Sequence, residues 1–92
     1  MTKLQRKYRH FNRKFFNSRL PKNTKLCWEN MYEMGYQQGD KIAINRQDRK
    51  RSRVWQFTLL HEMCHILHPN HGPGFQREML RLAKAGAFKN LW

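Results

Sequence analysis

His61-Glu62-Met63-Cys64-His65-Ile66-Leu67-His68-Pro69-Asn70-His71 is the segment from which the rest of this chain can be read. On a helix, His61 and His65 stand one turn apart on one face, close enough for both imidazoles to reach one metal ion. Glu62 lies beside them, where a carboxylate can take a proton from an attacking water. The run Val54-Trp55-Gln56-Phe57-Thr58-Leu59-Leu60 leads into Ile66 and Leu67 with apolar residues at helical spacing, so the motif sits inside a helix. Pro69, Asn70, Gly72, Pro73 and Gly74 form a dense breaker cluster that ends this helix near His68. A catalytic zinc site takes three protein ligands and leaves the fourth position to water. His71, just past the break, is placed to fold back as the third.

Other readings of these residues are weaker. His68 competes with His71, but it is two helical turns from His61, about 10 Å along the axis, too far for both to bind one ion. We place it at the border of the site or in solvent, with a contact to substrate as the lesser alternative. Cys64 reads as a small core residue rather than a ligand. A structural helix carrying solvated histidines would need neither the acidic neighbour nor the timed break. The chain is therefore read as a zinc-dependent hydrolase, in the first place a peptidase, with one Zn2+ held by His61, His65 and His71 and with Glu62 as general base.

Working outward, the pattern predicts a compact α+β fold. Leu4, Tyr8, Phe11 and Phe15 recur at steps of three and four, giving an amphipathic first helix that ends near Asn17 and Ser18, with Pro21 in the turn after it. Leu26-Cys27-Trp28, Tyr32 to Tyr36 and Lys41 to Asn45 read as three short strands, the last two joined at Gln38-Gly39-Asp40. The motif helix starts near Ser52 as N-cap. A last helix runs from about Phe75 to a stop at Gly86. The expected order is thus an N-terminal helix, a small three-stranded sheet, the motif helix and a C-terminal helix, in one domain over residues 1–92. Trp55 and the methionines Met63 and Met79 are expected in the core. Trp28 and Trp92 are open between core anchoring and stacking on bases.

Charge is the second signal. The chain has 92 residues with 19 Lys and Arg against 6 Asp and Glu, a formal net charge of +13. The excess is spread over the N-terminal segment, the run before the motif helix, and the C-terminal helix. Such a balance favours polyanions, nucleic acid first, in a single-stranded or non-specific mode. The residues we assign to it are Arg6, Lys7, Arg13 and Lys14 in the first helix and Arg49, Lys50, Arg51 and Arg53 before the motif. No zinc finger, RNA-recognition motif or helix-turn-helix signature accompanies them. The length allows one modest core, to which a bound metal would add stability. No apolar run reaches the roughly 20 residues that span a membrane, and the first residues lack the apolar stretch of a secretory signal. Two cysteines without C-x-x-C spacing fit a reducing compartment. An intracellular, cytoplasmic monomer without membrane contact is expected.

Two further stretches carry a resemblance. Phe11-Asn12-Arg13-Lys14-Phe15-Phe16-Asn17-Ser18-Arg19-Leu20-Pro21 resembles the opening of SprT-like domains, where a helix with paired aromatics runs into an Asn-x-x-Leu-Pro turn. Leu59 to His65, followed by His71-Gly72-Pro73-Gly74-Phe75, is similar to that family's active-site helix and its His-Gly-x-x-Phe segment. The resemblance spans about residues 8–85 and includes Spartan, which cuts proteins crosslinked to DNA. It implies His61, His65 and His71 as zinc ligands, Glu62 as general base, and Phe75 as packing that fixes the His71 loop. The segment between His65 and His71 is shorter than in Spartan, and no zinc ribbon or binding tail follows Trp92, so a role in crosslink repair does not carry over.

Mechanistically, the strand Lys41–Asn45 is a candidate edge for an extended substrate. Tyr36 and His68 are candidates for substrate or transition-state contact. Glu29, Glu33, Asp40, Asp48 and Glu78 are the carboxylates left to orient the histidines. The other classes are a small basic nucleic-acid-binding protein with a structural or weakly active zinc site, and an amidase acting on small substrates.

Overall fold

The computed structural model describes residues 1–89 and 91; Trp92 lies outside the described residues. The fold is α+β, and the first helix, α1 (Lys3–Phe15), begins with a reciprocal cap. Thr2 Oγ1 accepts from the Gln5 amide at 3.1 Å while Gln5 Oε1 accepts from the Thr2 amide at 2.9 Å, which satisfies two otherwise orphaned donors. Leu4, Tyr8, Phe11 and Phe15 are buried along one stripe as predicted. The helix ends where expected, with Asn17 (φ 50) and Ser18 (φ 58) in the left-handed region. The Ser18 amide then donates back to the Asn12 carbonyl at 2.9 Å. Side chains from α1 hold the following turn. Asn12 exchanges two hydrogen bonds with the Leu20 backbone (3.0 and 3.1 Å), and the Tyr8 hydroxyl donates to the Pro21 carbonyl at 2.6 Å.

Three strands follow: β1 (Lys25–Glu29), β2 (Gly35–Gln38) and β3 (Lys41–Asn45). The sheet order is β1-β3-β2, with β1 parallel and β2 antiparallel to β3. Gly39, at φ +57, takes the first place of the two-residue loop between β2 and β3, a conformation that suits glycine. Two expectations need correction. The strand expected to start at Tyr32 starts at Gly35, because Tyr32 to Met34 form a bend instead. Asn45 explains this: its Nδ2 donates to the Met31 and Glu33 carbonyls (3.1 and 2.8 Å) and its amide to the Met34 carbonyl (2.8 Å). The amide bond to Met34 is the last one in register with the β2–β3 pairing, and beyond it the Asn45 side chain, not a strand backbone, takes the Met31 and Glu33 carbonyls. The second correction concerns β3, which is the middle strand and offers no edge; the open edges are β1 and β2.

A 3-10 turn at Arg46–Asp48 leads to α2 (Ser52–Leu67), the central element. Arg51, not Ser52, occupies the N-cap position, and no side chain caps it. The Ser52 hydroxyl instead accepts from Gln56 Nε2 at 2.6 Å inside the first turn. Trp55, Leu59, Leu60, Met63 and Cys64 are almost wholly buried, and α2 packs against β2, β3, α1 and α3. Each such large apolar side chain contributes roughly 1.5–3 kcal/mol of transfer free energy, so α2 is anchored on several sides at once. Trp28 packs edge-on against Trp55, with centroids 5.7 Å apart. The last helix, α3 (Pro73–Lys84), takes Pro73 in its first turn and is followed by Gly86 at φ +86. Met79 is half-buried, its sulfur 3.6 Å from that of Cys64. Among the described residues no helix is long and apolar enough to cross a membrane.

Candidate metal centre

The rigid part of the site is α2, which carries His61, Glu62 and His65 over one turn. His68 caps the helix at its C-terminus in an extended conformation, as the breaker cluster predicts. The chain then doubles back through Pro69 and Asn70, whose Oδ1 accepts from the Gly72 amide at 3.0 Å. This turn returns His71 to the two helix histidines. Ligand atoms of His61, His65 and His71 all lie within 4.8 Å of one another. Gln76 holds the returning segment by donating to the His71 carbonyl at 3.2 Å.

Phe75, in the first turn of α3, contacts all three rings. Its centroid is 5.0 Å from that of His61, 4.5 Å from His65 and 4.8 Å from His71, stacked on His65 and edge-on to the other two. It is thus an apolar floor beneath the whole cluster.

Hydrogen bonding sets one of the tautomers. His65 Nδ1 lies 3.0 Å from the His68 carbonyl oxygen. A carbonyl only accepts, so Nδ1 carries the proton and Nε2 of the neutral ring presents its lone pair. That Nε2 is 3.1 Å from Nε2 of His71. Burial first, then the neighbouring His65 and His71, push the His61 pKa down to about 4, so this ring is neutral at pH 7 and able to ligate.

Glu62 is buried on α2, and burial pushes its carboxyl pKa up to about 7. It shares a cavity with the three histidines, Pro69, and Gly35, Tyr36 and Gln37 of β2. Gly35 is what lets the strand come so close. A Cβ there would lie 2.7 Å from Thr58 Cγ2, 2.8 Å from the Ala43 carbonyl oxygen and 3.6 Å from Glu62 Cγ.

The remaining candidates separate. Tyr36 lines the cavity, but its hydroxyl donates to the Glu29 carboxylate (2.9 and 3.0 Å), which Lys41 also pairs. The His68 ring does not line this cavity; it turns to Glu78, with Nε2 3.4 Å from Oε1. Arg6 and Arg13 project from the side of α1 opposite its buried stripe, Lys7 and Lys14 flank the stripe with Nζ 5.6 Å over the Phe11 ring and 5.4 Å over the Phe15 ring, and none of the four lines the histidine cavity. Arg49 and Lys50 border a hollow beside β1, while Arg51 pairs with Asp48 at 4.0 Å and Arg53 is exposed. Gly35 and the His68 carbonyl escaped sequence reasoning, and Glu78 was one of five carboxylates that the sequence left unranked. Their roles depend on contacts between elements, and no spacing announces them.

Residues 49–85 match a family model described as YgjP-like, metallopeptidase domain. The match runs from the residues just before α2 to the end of α3, less than half of the chain, and it contains all three histidines and Glu62. It ties this segment to a metallopeptidase family, consistent with the SprT-like resemblance of the sequence. No curated protein and no solved structure matches the chain.

Proposed function

We propose that this protein is a zinc-dependent peptidase in which His61, His65 and His71 hold the metal and Glu62 is the general base. The carrying observation is the three-imidazole cluster, with donors within 4.8 Å, opening into the same cavity as a buried carboxylate. The donor set fits zinc: neutral imidazoles bind it at about 2.0–2.1 Å, which places tetrahedral neighbours about 3.4 Å apart, near the 3.1 Å between Nε2 of His65 and His71. When bound, the ion supplies a Lewis acid that polarises a carbonyl and makes water acidic near neutral pH. Glu62, with its pKa raised towards neutrality, accepts the proton of the attacking water and returns it to the departing amine. The open edge of β2, whose Gly35 to Gln37 line the cavity, suits an extended peptide added as a further strand.

Association with single-stranded or non-specific DNA belongs to the same proposal, with DNA-bound proteins as substrates. What supports it is the distribution of charge. At 100° per residue, Lys3, Arg6, Lys7, Arg13 and Lys14 fall within about a third of the α1 circumference, running from the border of the buried stripe to the side opposite it. The hollow bordered by Lys3, Trp28, Arg49 and Lys50 has no carboxylate among its described lining residues. It lies at the β1 edge, across the sheet from β2 and the histidines, so both could be occupied together.

The test is cleavage of an unfolded protein by the zinc-loaded enzyme, with and without single-stranded DNA, alongside Glu62→Gln. Cleavage by the wild type, lost in the variant at equal zinc content, supports the peptidase. Zinc bound at one equivalent with no cleavage of any protein would sink it in favour of a binding module. Hydrolysis of small amides alone would point to an amidase.

A further inference from the structure

Glu78 lies on α3, outside the histidine cavity, and is only 7% exposed. A buried carboxylate is costly unless its charge is matched, and this one is matched on both oxygens. Oε2 takes Arg19 and Arg81, while Oε1 faces His68 Nε2 at 3.4 Å. Because a carboxylate only accepts, His68 Nε2 carries the proton of that bond. The other side of the His68 ring rests against Gly74, where a Cβ would come within 2.8 Å of Nδ1. The ring is therefore clamped between a carboxylate and a bare stretch of helix backbone. The same residue's main-chain carbonyl receives His65 Nδ1 at 3.0 Å. His68 also stands at the point where α2 ends and the chain turns back to His71.

We propose that Glu78 is a positioning residue for the histidine cluster. By holding the His68 ring it fixes the His68 carbonyl, which in turn keeps the His65 proton on Nδ1 and leaves His65 Nε2 facing His61 and His71. The proposal rests on the metal-site reading above for its consequence, and on hydrogen-bond geometry alone for the clamp. Groups of this kind that orient ligating histidines typically change metal affinity about 10–100-fold when removed. His68 thus acts through both its ring and its backbone without touching substrate.

The experiment compares wild type with Glu78→Ala, which removes the acceptor of the His68 ring, and with His68→Ala, Gly74→Ala and His68→Gln; Glu78→Ala should act as His68→Ala and Gly74→Ala do. Gly74→Ala displaces the His68 ring without touching either partner, and alanine suits a helical first turn, so the fold is kept. His68→Gln restores a donor near the position of Nε2. Two quantities are read: zinc affinity by calorimetry, and the His65 tautomer by long-range proton–nitrogen NMR on the zinc-free protein. Affinity should fall about 10–100-fold in His68→Ala and Gly74→Ala, with the His65 proton no longer confined to Nδ1, and His68→Gln should recover both. Unchanged affinity and an unchanged Nδ1 tautomer in folded Glu78→Ala, or in both folded His68→Ala and Gly74→Ala, would overturn the proposal. A wild type that binds no zinc would sink the metal-site reading instead, while the tautomer in the zinc-free protein would still decide the clamp.

Discussion

Gly35→Ala places one methyl group where β2 crosses α2 beside the candidate base. The new Cβ would meet Thr58 Cγ2 at 2.7 Å and the Ala43 carbonyl oxygen at 2.8 Å. Neither neighbour can give way cheaply. Thr58 is β-branched, buried, and tied through its hydroxyl to the Val54 carbonyl at 3.0 Å, while Ala43 is backbone in the central strand. The strand must therefore shift away from α2 by several tenths of an ångström. Overpacking of this sort costs about 1–3 kcal/mol, and each kcal/mol lowers Tm by roughly 4–8 °C in a domain of this size. The displacement falls on the cavity wall and not on the histidines. Zinc affinity should stay near wild type while kcat/KM drops, up to about 100-fold for a misplacement approaching 1 Å. Urea or thermal unfolding, zinc calorimetry and peptide turnover measure the three parts. A variant with unchanged stability and unchanged turnover would refute the close approach of β2 to α2 as the source of site geometry.

Further outcomes follow from other contacts. Phe75→Ala removes the floor beneath three imidazoles and should cost about 3–5 kcal/mol, with a smaller gain in Tm on adding zinc than the wild type shows. Glu78 offers a pH test: burial works to raise its carboxyl pKa, but Arg81, His68 and Arg19 outweigh it and hold it below the usual value of 4.5. Its contribution to stability is complete above that value and is lost as pH falls through the lower folded value. Glu78→Gln should therefore flatten the acid side of the Tm–pH curve, and an unchanged acid limb would contradict the pairing. Lys50→Ala should weaken single-stranded DNA binding and reduce the salt slope by about one, with peptide cleavage in the absence of DNA unaltered. In the cleavage assay proposed above, Glu62→Gln should lower kcat by about two to four orders of magnitude, with bound zinc measured by metal analysis to confirm an intact site.

Much of this fold is written in local pattern. The steps of three and four through Leu4, Tyr8, Phe11 and Phe15 fix α1 because that helix buries a single stripe. The extent of α2 follows from apolar spacing and from the breakers after His68, and the gathering of three histidines follows from the same break. The sheet was less legible. Lys41–Asn45 reads as a strand, but its place between β1 and β2 depends on a parallel pairing that no local signal encodes. The bend at Tyr32 to Met34 arises because Asn45, more than ten residues on, takes the carbonyls a strand would have used. Glu78 is likewise one carboxylate among several until α3 packs on the end of α2 and brings it to His68.

Asn45 has a consequence for how this protein can change. It grips the segment before β2 solely through main-chain oxygens, those of Met31, Glu33 and Met34. Tyr32 is fully exposed at 104% and Met34 half so at 49%. The path of that segment is thus set from outside it, and the identity of its side chains is nearly irrelevant to its course. Since the segment delivers Gly35 to the cavity wall, positions 32–34 can diverge, or be randomised in a library, while the rim they decorate keeps its shape.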